Sequence, residues 1–314
     1  MEQMAIYTPG SAITARPLSY DAQADYIRFL EVDSPRTLRT YKTATRQLFS
    51  FFASQGITAP QRTDLIAYRS ALKASGHKTT TIQLYMTAAR LFFRWTDQAG
   101  LYDNIAEHIK GYKVDREHKK DYLTSEQVKH ILQSIDRSTP AGLRDYCIIA
   151  LMVTTGLRTI EVSRANLEDI RTQGDNTALY IQGKGRSDKS DYVILPGHIE
   201  AVIREYIKAT GGRKEAAPLF ISTSRNNTGE RLTTRSISAI CKARMQAAGY
   251  DSARLTAHSL RHTAVTLSLL AGKDITEVQQ FARHKNIETT MIYNHALDKA
   301  KNTCSKAVES AIFD

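Results

Sequence analysis

The stretch ALYIQGKGRSDKSDYVILP, residues 178–196, interrupts a chain that otherwise has the periodicity of helices. Two short runs of β-favouring residues, 178–182 and 192–195, flank a basic turn that contains glycine, which is the pattern of an antiparallel hairpin. This pattern puts Lys184 at the hairpin tip, between Gly183 and Gly185. We therefore predict a mainly α chain with one small antiparallel β-sheet in its C-terminal half.

Helical patterns lie on both sides of the hairpin. Before it, a capping box from Thr124 to Gln127 opens one apolar-periodic run, and a long apolar helix is predicted over 140–155. After it, the same periodicity predicts five more helices: His198–Ala209, Thr234–Ala248, Ser259–Ala271, Ile275–Arg283 and Thr289–His295.

The N-terminal part repeats apolar side chains at intervals of three and four residues from Leu18 to about Ile109. Three glycines close these runs as helix C-caps would: Gly56, Gly76 and Gly100. Four helices in this length make a compact α domain. The periodicity breaks in a charged segment that contains glycine, so we predict an N-terminal domain over residues 1–112, a linker over 113–121 and a second domain over 122–314.

The charge balance favours a polyanionic partner. Lys and Arg number 43 against 32 Asp and Glu, which gives a formal net charge of +11. Several basic residues of the first domain fall on its helices beside the apolar stripe: Arg39, Lys42, Arg46, Lys78, Arg90 and Arg94. We predict that they contact DNA, and an ordinary solvated helix face is the alternative for each.

The cysteines indicate a reducing compartment, and the hydropathy indicates no segment that spans a membrane. Cys147, Cys241 and Cys304 are widely separated and fit neither a metal-binding pair nor a disulfide framework. No apolar run reaches the ~18 residues of a membrane span, and the N-terminus lacks the basic-then-apolar pattern of a signal peptide. We expect a cytoplasmic protein with no membrane partner.

Groups suited to phosphoryl transfer recur in four separate segments of the second domain. Arg158 lies in TTGLRTIEV, Lys184 in QGKGR, His258 and Arg261 in HSLRHT, and His284 in ARH. A spacing of three residues puts His258 and Arg261 on one helix face. Nine residues after His284 comes Tyr293.

Together these segments resemble the tyrosine recombinases, the phage-integrase family of site-specific DNA recombinases. That family has an Arg in a G-L-R-x-x-E stretch, a hairpin Lys, an H-x-L-R pair, a later His and a nucleophilic Tyr. The same elements occur here in the same order, from Gly156 to Tyr293. The resemblance implies a catalytic domain of the DNA breaking–rejoining fold, preceded by a SAM-like core-binding domain that matches here only in length and helicity.

The resemblance and the chemistry of phosphodiesters together give each group a role. Two guanidinium groups, Arg158 and Arg261, would clamp the nonbridging oxygens, and Tyr293 would attack phosphorus to form a phosphotyrosyl bond. We expect His258 to be the general base and Lys184 the general acid, with Lys189 as the local competitor. Two further roles complete the set: His284 would donate a hydrogen bond to the phosphate, and Glu161 would orient Arg158 or a neighbouring His, with a plain surface carboxylate as the alternative for Glu161.

No cofactor is expected. The phosphotyrosyl bond would conserve the free energy of the broken phosphodiester, so ATP would be unnecessary. The chain also has no G-x-x-x-x-G-K-[ST] loop. His258 and His262 form an i,i+4 pair that could imitate a zinc site, but Ser259 stands where a zincin has Glu. We expect no acidic cluster for Mg²⁺ and no metal site.

The chain departs from the family before the later His, where many members have Leu-Gly and this one has Ala282 and Arg283. We expect Arg283 to contact the DNA backbone. The variant resembles integrases of mobile elements, whereas the length is Xer-like, so integration and excision are favoured over resolution of chromosome or plasmid dimers.

The family also implies partners: paired double-stranded DNA sites and a homotetramer on a Holliday junction. An accessory or partner recombinase stays open as a further partner. The amphipathic tail after Tyr293 would dock on a neighbouring subunit, and a tail folded onto its own core is the alternative. Two readings from other classes remain: a DNA-binding regulator without catalysis, and a metal-dependent nuclease.

Overall fold

The computed structural model describes residues 17–18, 21–30, 35–112, 121–183, 185–186, 188–293, 309 and 311–312. The chain divides into two compact units, Met1–Asp115 and Arg116–Asp314. The predicted linker spans this division, and its residues 113–120 lie outside the described ranges. No helix in the described ranges is long and apolar enough to cross a membrane.

The described residues of the first unit form four α-helices: α1 (Asp21–Phe29), α2 (Pro35–Ser54), α3 (Arg62–Ala74) and α4 (Thr79–Gln98). Its core is aromatic, because the stripes of α2 and α4 supply rings that face one another. Phe92 is fully buried and makes edge-to-face contacts with Tyr26 and Phe49, at ring-centroid distances of 5.3 and 5.4 Å.

The described residues of the second unit form helices α5 (Ser125–Gln133), α6 (Pro140–Thr155), α7 (Thr159–Arg164), α8 (Gly197–Ala209), α9 (Thr234–Ala247), α10 (Ala257–Leu270) and α11 (Ile275–Ala282). Helix α5 begins with the predicted capping box, in which Thr124 Oγ1 accepts a hydrogen bond from the Gln127 amide at 3.2 Å. Residues 288–293 are also helical. Most of α6 is buried, and it packs against α8, α9 and α10, so this helix forms the centre of the unit.

A three-stranded antiparallel sheet is formed by β1 (Ile170–Gln173), β2 (Asn176–Ile181) and β3 (Asp191–Ile194), in that order. Leu179 of the central strand lies between Ile170 and Val193, and its side chain is buried. The predicted hairpin corresponds to β2 and β3. Strand β1 was missed because three of its four residues are exposed and the strand lacks apolar alternation.

The mainly α class with a small antiparallel sheet is thus confirmed. Two helix ends matter for the site. Gly156 caps α6 in the left-handed conformation with φ 63°, which reverses the chain and lets Arg158 precede the first turn of α7. Arg283 caps α11, also left-handed, with φ 54°.

Candidate active site

Arg158 and Glu161 form a local unit at the start of α7. The Glu161 carboxylate accepts hydrogen bonds from the Arg158 backbone amide and from Arg158 Nη1, both at 2.8 Å. The Glu161 side chain is only 1% exposed. This geometry agrees with the expectation that Glu161 orients Arg158 and disagrees with a plain surface carboxylate.

Arg261 is buried on α10 and is held by main-chain carbonyl groups. Its Nη1 donates to the Gly156 carbonyl oxygen at 2.5 Å, and its Nη2 donates to the carbonyl oxygen of Ala282. Burial, followed by the charges of Arg158 and Arg283, lowers the pKa of Arg261 to about 9. The guanidinium is therefore a desolvated cation that an added anion would stabilise.

Tyr293 lies beside this cation with its hydroxyl group turned into the protein. The residue is 6% exposed, and its hydroxyl oxygen is in hydrogen-bond contact with Nδ1 of His262. Burial raises the pKa of Tyr293 to about 12, although the charges of Arg261 and Arg158 oppose the rise. At neutral pH the phenol thus keeps its proton until a base removes it.

His262 is the site residue whose role the sequence did not reveal. The sequence pairs it with His258 only as an imitation of a zinc site, whereas it is buried on α10 against the tyrosine that resembles the nucleophile. His258, the expected base, is one turn earlier and exposed, with its ring centroid 4.6 Å from that of His262. The feature of the sequence that could have pointed to His262 is its position directly after Arg261.

His284 follows α11 and faces the same tyrosine. Its ring is stacked on that of Tyr293 at a centroid distance of 6.3 Å, and its Nδ1 lies 2.9 Å from Oγ1 of the buried Thr290. Burial and then the neighbouring charges of Arg261, Arg158, Arg283 and His258 lower the pKa of His284 to about 4. The imidazole is neutral in the free protein at pH 7.

Arg283 is not placed as the sequence suggested. We expected it to reach DNA backbone, but its side chain is 11% exposed and its Nη2 lies 3.3 Å from Glu161 Oε2. Nη2 also donates to the Gly156 carbonyl oxygen at 3.2 Å, and Nη1 donates to that of Phe281 at 2.9 Å. Because Glu161 is a buried anion, it attracts this guanidinium inward.

Two lysines compete for the role of general acid in the sequence. Lys184 lies outside the described residues. Lys189 forms an ion pair with Asp169 at 2.5 Å, and the Asp169 side chain is 1% exposed. Lys189 therefore has a structural partner near the sheet.

The basic residues chosen in the first unit differ in their surroundings. Five of them are exposed: Arg39, Lys42, Arg46, Lys78 and Arg94. Arg39, Lys42 and Arg46 follow one another at intervals of three and four along α2, which places them on one face. Arg90 is instead half-buried and donates to Thr87 Oγ1 at 3.0 Å, so it supports the unit itself.

The predicted tail segment lies mostly outside the described residues. The tail residues that the structure describes, 309 and 311–312, are helical. No cluster of three or more potential metal-ligating side chains occurs within the described ranges.

The second unit brings together two guanidinium groups, neighbouring histidines and a buried tyrosine hydroxyl, an arrangement suited to phosphoryl transfer. Comparison with protein families gives the class of the chain. Residues 121–300 match the phage integrase family, and residues 24–100 match the phage integrase N-terminal SAM-like domain. The chain belongs to the phage integrase family, the tyrosine recombinases, whose members cleave and rejoin DNA strands.

Individual relatives have the same character. The chain is 30% identical over 264 residues to tyrosine recombinase XerA of Thermococcus kodakarensis, covering 84% of this chain and 86% of that protein. It is 26% identical over 284 residues to tyrosine recombinase XerD of Listeria innocua, covering 86% and 92%.

Solved structures share the fold. The XerH site-specific recombinase bound to palindromic difH substrate superposes with a TM-score of 0.69 at 22% identity, over 90% of this chain and 84% of that one. A lambda integrase tetramer bound to a Holliday junction gives a TM-score of 0.66 at 19% identity, over 85% and 77%.

Proposed function

We propose that the protein is a site-specific recombinase that breaks DNA through a covalent 3′-phosphotyrosyl bond at Tyr293 and then rejoins exchanged strands. One observation carries this proposal. The Tyr293 hydroxyl contacts the buried His262 Nδ1, while the charges of Arg261 and Arg158 act on the same phenol. This arrangement supports the assignment of a nucleophile, a base and a clamp for phosphate to these residues.

The first chemical step needs a base because burial raises the pKa of Tyr293 to about 12. As the phenol oxygen attacks phosphorus, its proton passes to Nδ1 of His262. The bond from phosphorus to the 5′-oxygen breaks, and that oxygen leaves with a proton from a general acid. Rejoining reverses each transfer, because the phosphotyrosyl bond keeps the free energy of the broken backbone.

The charge that builds on the nonbridging oxygens would be stabilised by Arg261 and Arg158. Arg261 is already fixed by two carbonyl groups, so little reorganisation is needed when phosphate arrives. His284 would complete the cradle. A Thr290 hydroxyl that donates to His284 Nδ1 leaves the ring proton on Nε2, from which it can be donated to a phosphate oxygen.

We assign the general acid to Lys184, since Lys189 is engaged with a buried carboxylate. Lys184→Met should slow cleavage of ordinary DNA by roughly 10²–10⁴-fold. The same variant should cleave a substrate with sulfur in the 5′-bridging position at a near wild-type rate, because a thiolate leaves without a proton. Lys189→Met is the matched control. It should lower the free energy of unfolding by about 1–3 kcal/mol, and sulfur should not restore any rate it loses.

The central experiment traps the covalent intermediate on a nicked suicide substrate and maps the attached residue. Wild type should give an adduct at Tyr293 without ATP and in the presence of EDTA, and Tyr293→Phe should give none. Strand cleavage that leaves no adduct and is abolished by EDTA would favour the metal-dependent nuclease. If wild type bound DNA yet neither cleaved it nor formed an adduct, the chain would be a non-catalytic regulator.

For the biological role we propose integration and excision of a mobile element, supported by the ARH sequence before Lys285. Xer-like dimer resolution is the alternative, supported by the match to XerD over 92% of that protein. Sequencing DNA recovered covalently from cells decides between them. Reads at the ends of a mobile element support integration, whereas reads at one site in each chromosome or plasmid support resolution.

We further propose a homotetramer on paired sites with a Holliday-junction intermediate and exchange of the C-terminal tail. A lambda integrase of the same fold forms a tetramer on a Holliday junction. Light scattering of the protein on paired sites, with and without residues 296–314, tests this. The truncated chain should bind single sites and fail to form the tetramer; equal assembly by both would exclude tail exchange.

A further inference from the structure

Arg283 occupies an unfavourable backbone position. It ends α11 with φ 54° and ψ 46°, the left-handed conformation that glycine adopts without a steric penalty. The buried Nε of the same side chain has no hydrogen-bond partner among the described residues. The left-handed backbone and the unpaired buried Nε both cost free energy, and a long charged residue that bears both costs suggests a role for its side chain.

The contacts of Arg283 converge on the Arg158–Glu161 unit from both ends of the residue. Its backbone carbonyl oxygen accepts from Arg158 Nη2 at 3.2 Å. Its own Nη2 lies 3.3 Å from Glu161 Oε2, and the side chain of Glu161 is 1% exposed. One buried carboxylate is thus shared by two guanidinium groups and one backbone amide.

The electrostatics agree with these contacts. Burial alone would raise the pKa of Glu161, but the charge of Arg283 and then the hydrogen bonds and charge of Arg158 hold it below its ordinary value. An ionised Glu161 keeps both hydrogen bonds to Arg158, which fixes the position of the Arg158 guanidinium. Losing Arg283 would loosen this arrangement without touching the phosphate directly.

We propose that Arg283 is a positioning residue that holds Glu161 ionised and Arg158 in place for the scissile phosphate, rather than a contact to flanking DNA. This inference rests on the proposed strand-cleavage function. In this chain a third cation thus supports the clamp at a position where many family members have glycine.

The test compares Arg283→Gly, Arg283→Met and Arg283→Lys in single-turnover cleavage of the suicide substrate. Gly removes the guanidinium and relieves the left-handed strain, whereas Met removes the guanidinium and keeps the strain. Both should slow adduct formation by roughly 10- to 100-fold, which is typical when a supporting group is lost and a clamp shifts. Lys, which keeps the charge but not the fork, should recover part of the rate.

Two readouts separate positioning from stability and from DNA contact. In both neutral variants the acid limb of the rate profile should move to higher pH, because Glu161 loses the charge that lowers its pKa most. In a Tyr293→Phe background the salt dependence of DNA affinity should stay unchanged. A phosphate contact would instead reduce the slope of log K against log salt by about 0.9.

A double-mutant cycle with Glu161→Gln completes the design, since the effect of Arg283→Gly should nearly vanish when the carboxylate is absent. Wild-type rates for Gly and Met, or a reduced salt slope with an unmoved pH profile, would overturn the inference while leaving the adduct at Tyr293 intact. Failure of wild type to form any adduct would overturn both proposals.

Discussion

Arg261 offers a test in which stability and activity separate. The residue is 2% exposed, and the fall of its pKa to about 9 from an ordinary 12.5 corresponds to about 5 kcal/mol of cost to the folded state near pH 7. Against this stand two hydrogen bonds to carbonyl groups, each contributing about 1.5–3 kcal/mol for a charged donor. The two effects nearly cancel.

Arg261→Met should therefore change the free energy of unfolding by no more than about 2 kcal/mol, even though it empties a buried cationic site. Gly156 keeps a donor to its carbonyl oxygen, because Arg283 Nη2 also binds it at 3.2 Å. Adduct formation should nevertheless fall by roughly 10²–10³-fold, as for loss of a preorganised donor in other enzymes.

Arg158→Met is the informative comparison. The Arg158 side chain is 30% exposed, yet its removal leaves the buried Glu161 with fewer partners, so we expect a loss of about 1–3 kcal/mol. The more exposed arginine should thus matter more for stability. Urea unfolding by far-UV circular dichroism measures both, while Trp95, the only tryptophan, reports the first unit and should not change. A larger loss for Arg261→Met than for Arg158→Met would refute this account of the cation.

Three further outcomes are expected. His262→Gln should slow adduct formation by roughly 10²–10⁴-fold and more than His258→Gln, and the reverse order of single-turnover rates would return the base to His258. The pKa of His284 is lowered from 6.5 to about 4, so its contribution to stability is complete above pH 6.5 and is lost as pH falls toward 4. The urea midpoint should therefore decline less between pH 7 and pH 4.5 in His284→Asn than in wild type. Parallel curves would exclude His284 as a source of the pH dependence. Replacing Arg39, Lys42 and Arg46 together by Gln should reduce the salt slope of DNA affinity by up to about 2.7 with unfolding unchanged, whereas an unaltered slope would leave them as a solvated face.

Much of the fold was readable from the sequence, because the signals involved are local. The capping box at Thr124 and the apolar run of α6 each specify their element without distant contacts. Strand β1 carries no such signal, since only Ile170 of its four residues is even partly buried. Its pairing with β2 supplies the order that its own residues do not.

The same distinction between local and distant signals applies to the candidate site. The family resemblance selected Arg158, Arg261, His284 and Tyr293 as site residues, and these roles stay predictions. It did not show which histidine contacts the phenol, because His258 and His262 lie one turn apart on the same helix. The direction of Arg283 was equally beyond local patterns, since its partner Glu161 lies 122 residues earlier. Contacts between distant segments decide such orientations, and a single sequence does not display them.

The main-chain anchoring of Arg261 has an implication for how this site can change over time. Its two acceptors are peptide oxygens at the ends of α6 and α11, and every residue type supplies such an oxygen. A side-chain substitution therefore removes neither acceptor oxygen, but Gly156 is constrained by its left-handed φ of 63° and Ala282 by its burial. Insertion or deletion of one residue near either terminus would turn the acceptor by about 100° and move it by about 1.5 Å. Changes in length should accordingly be eliminated near both acceptors, because they displace the oxygen atoms themselves.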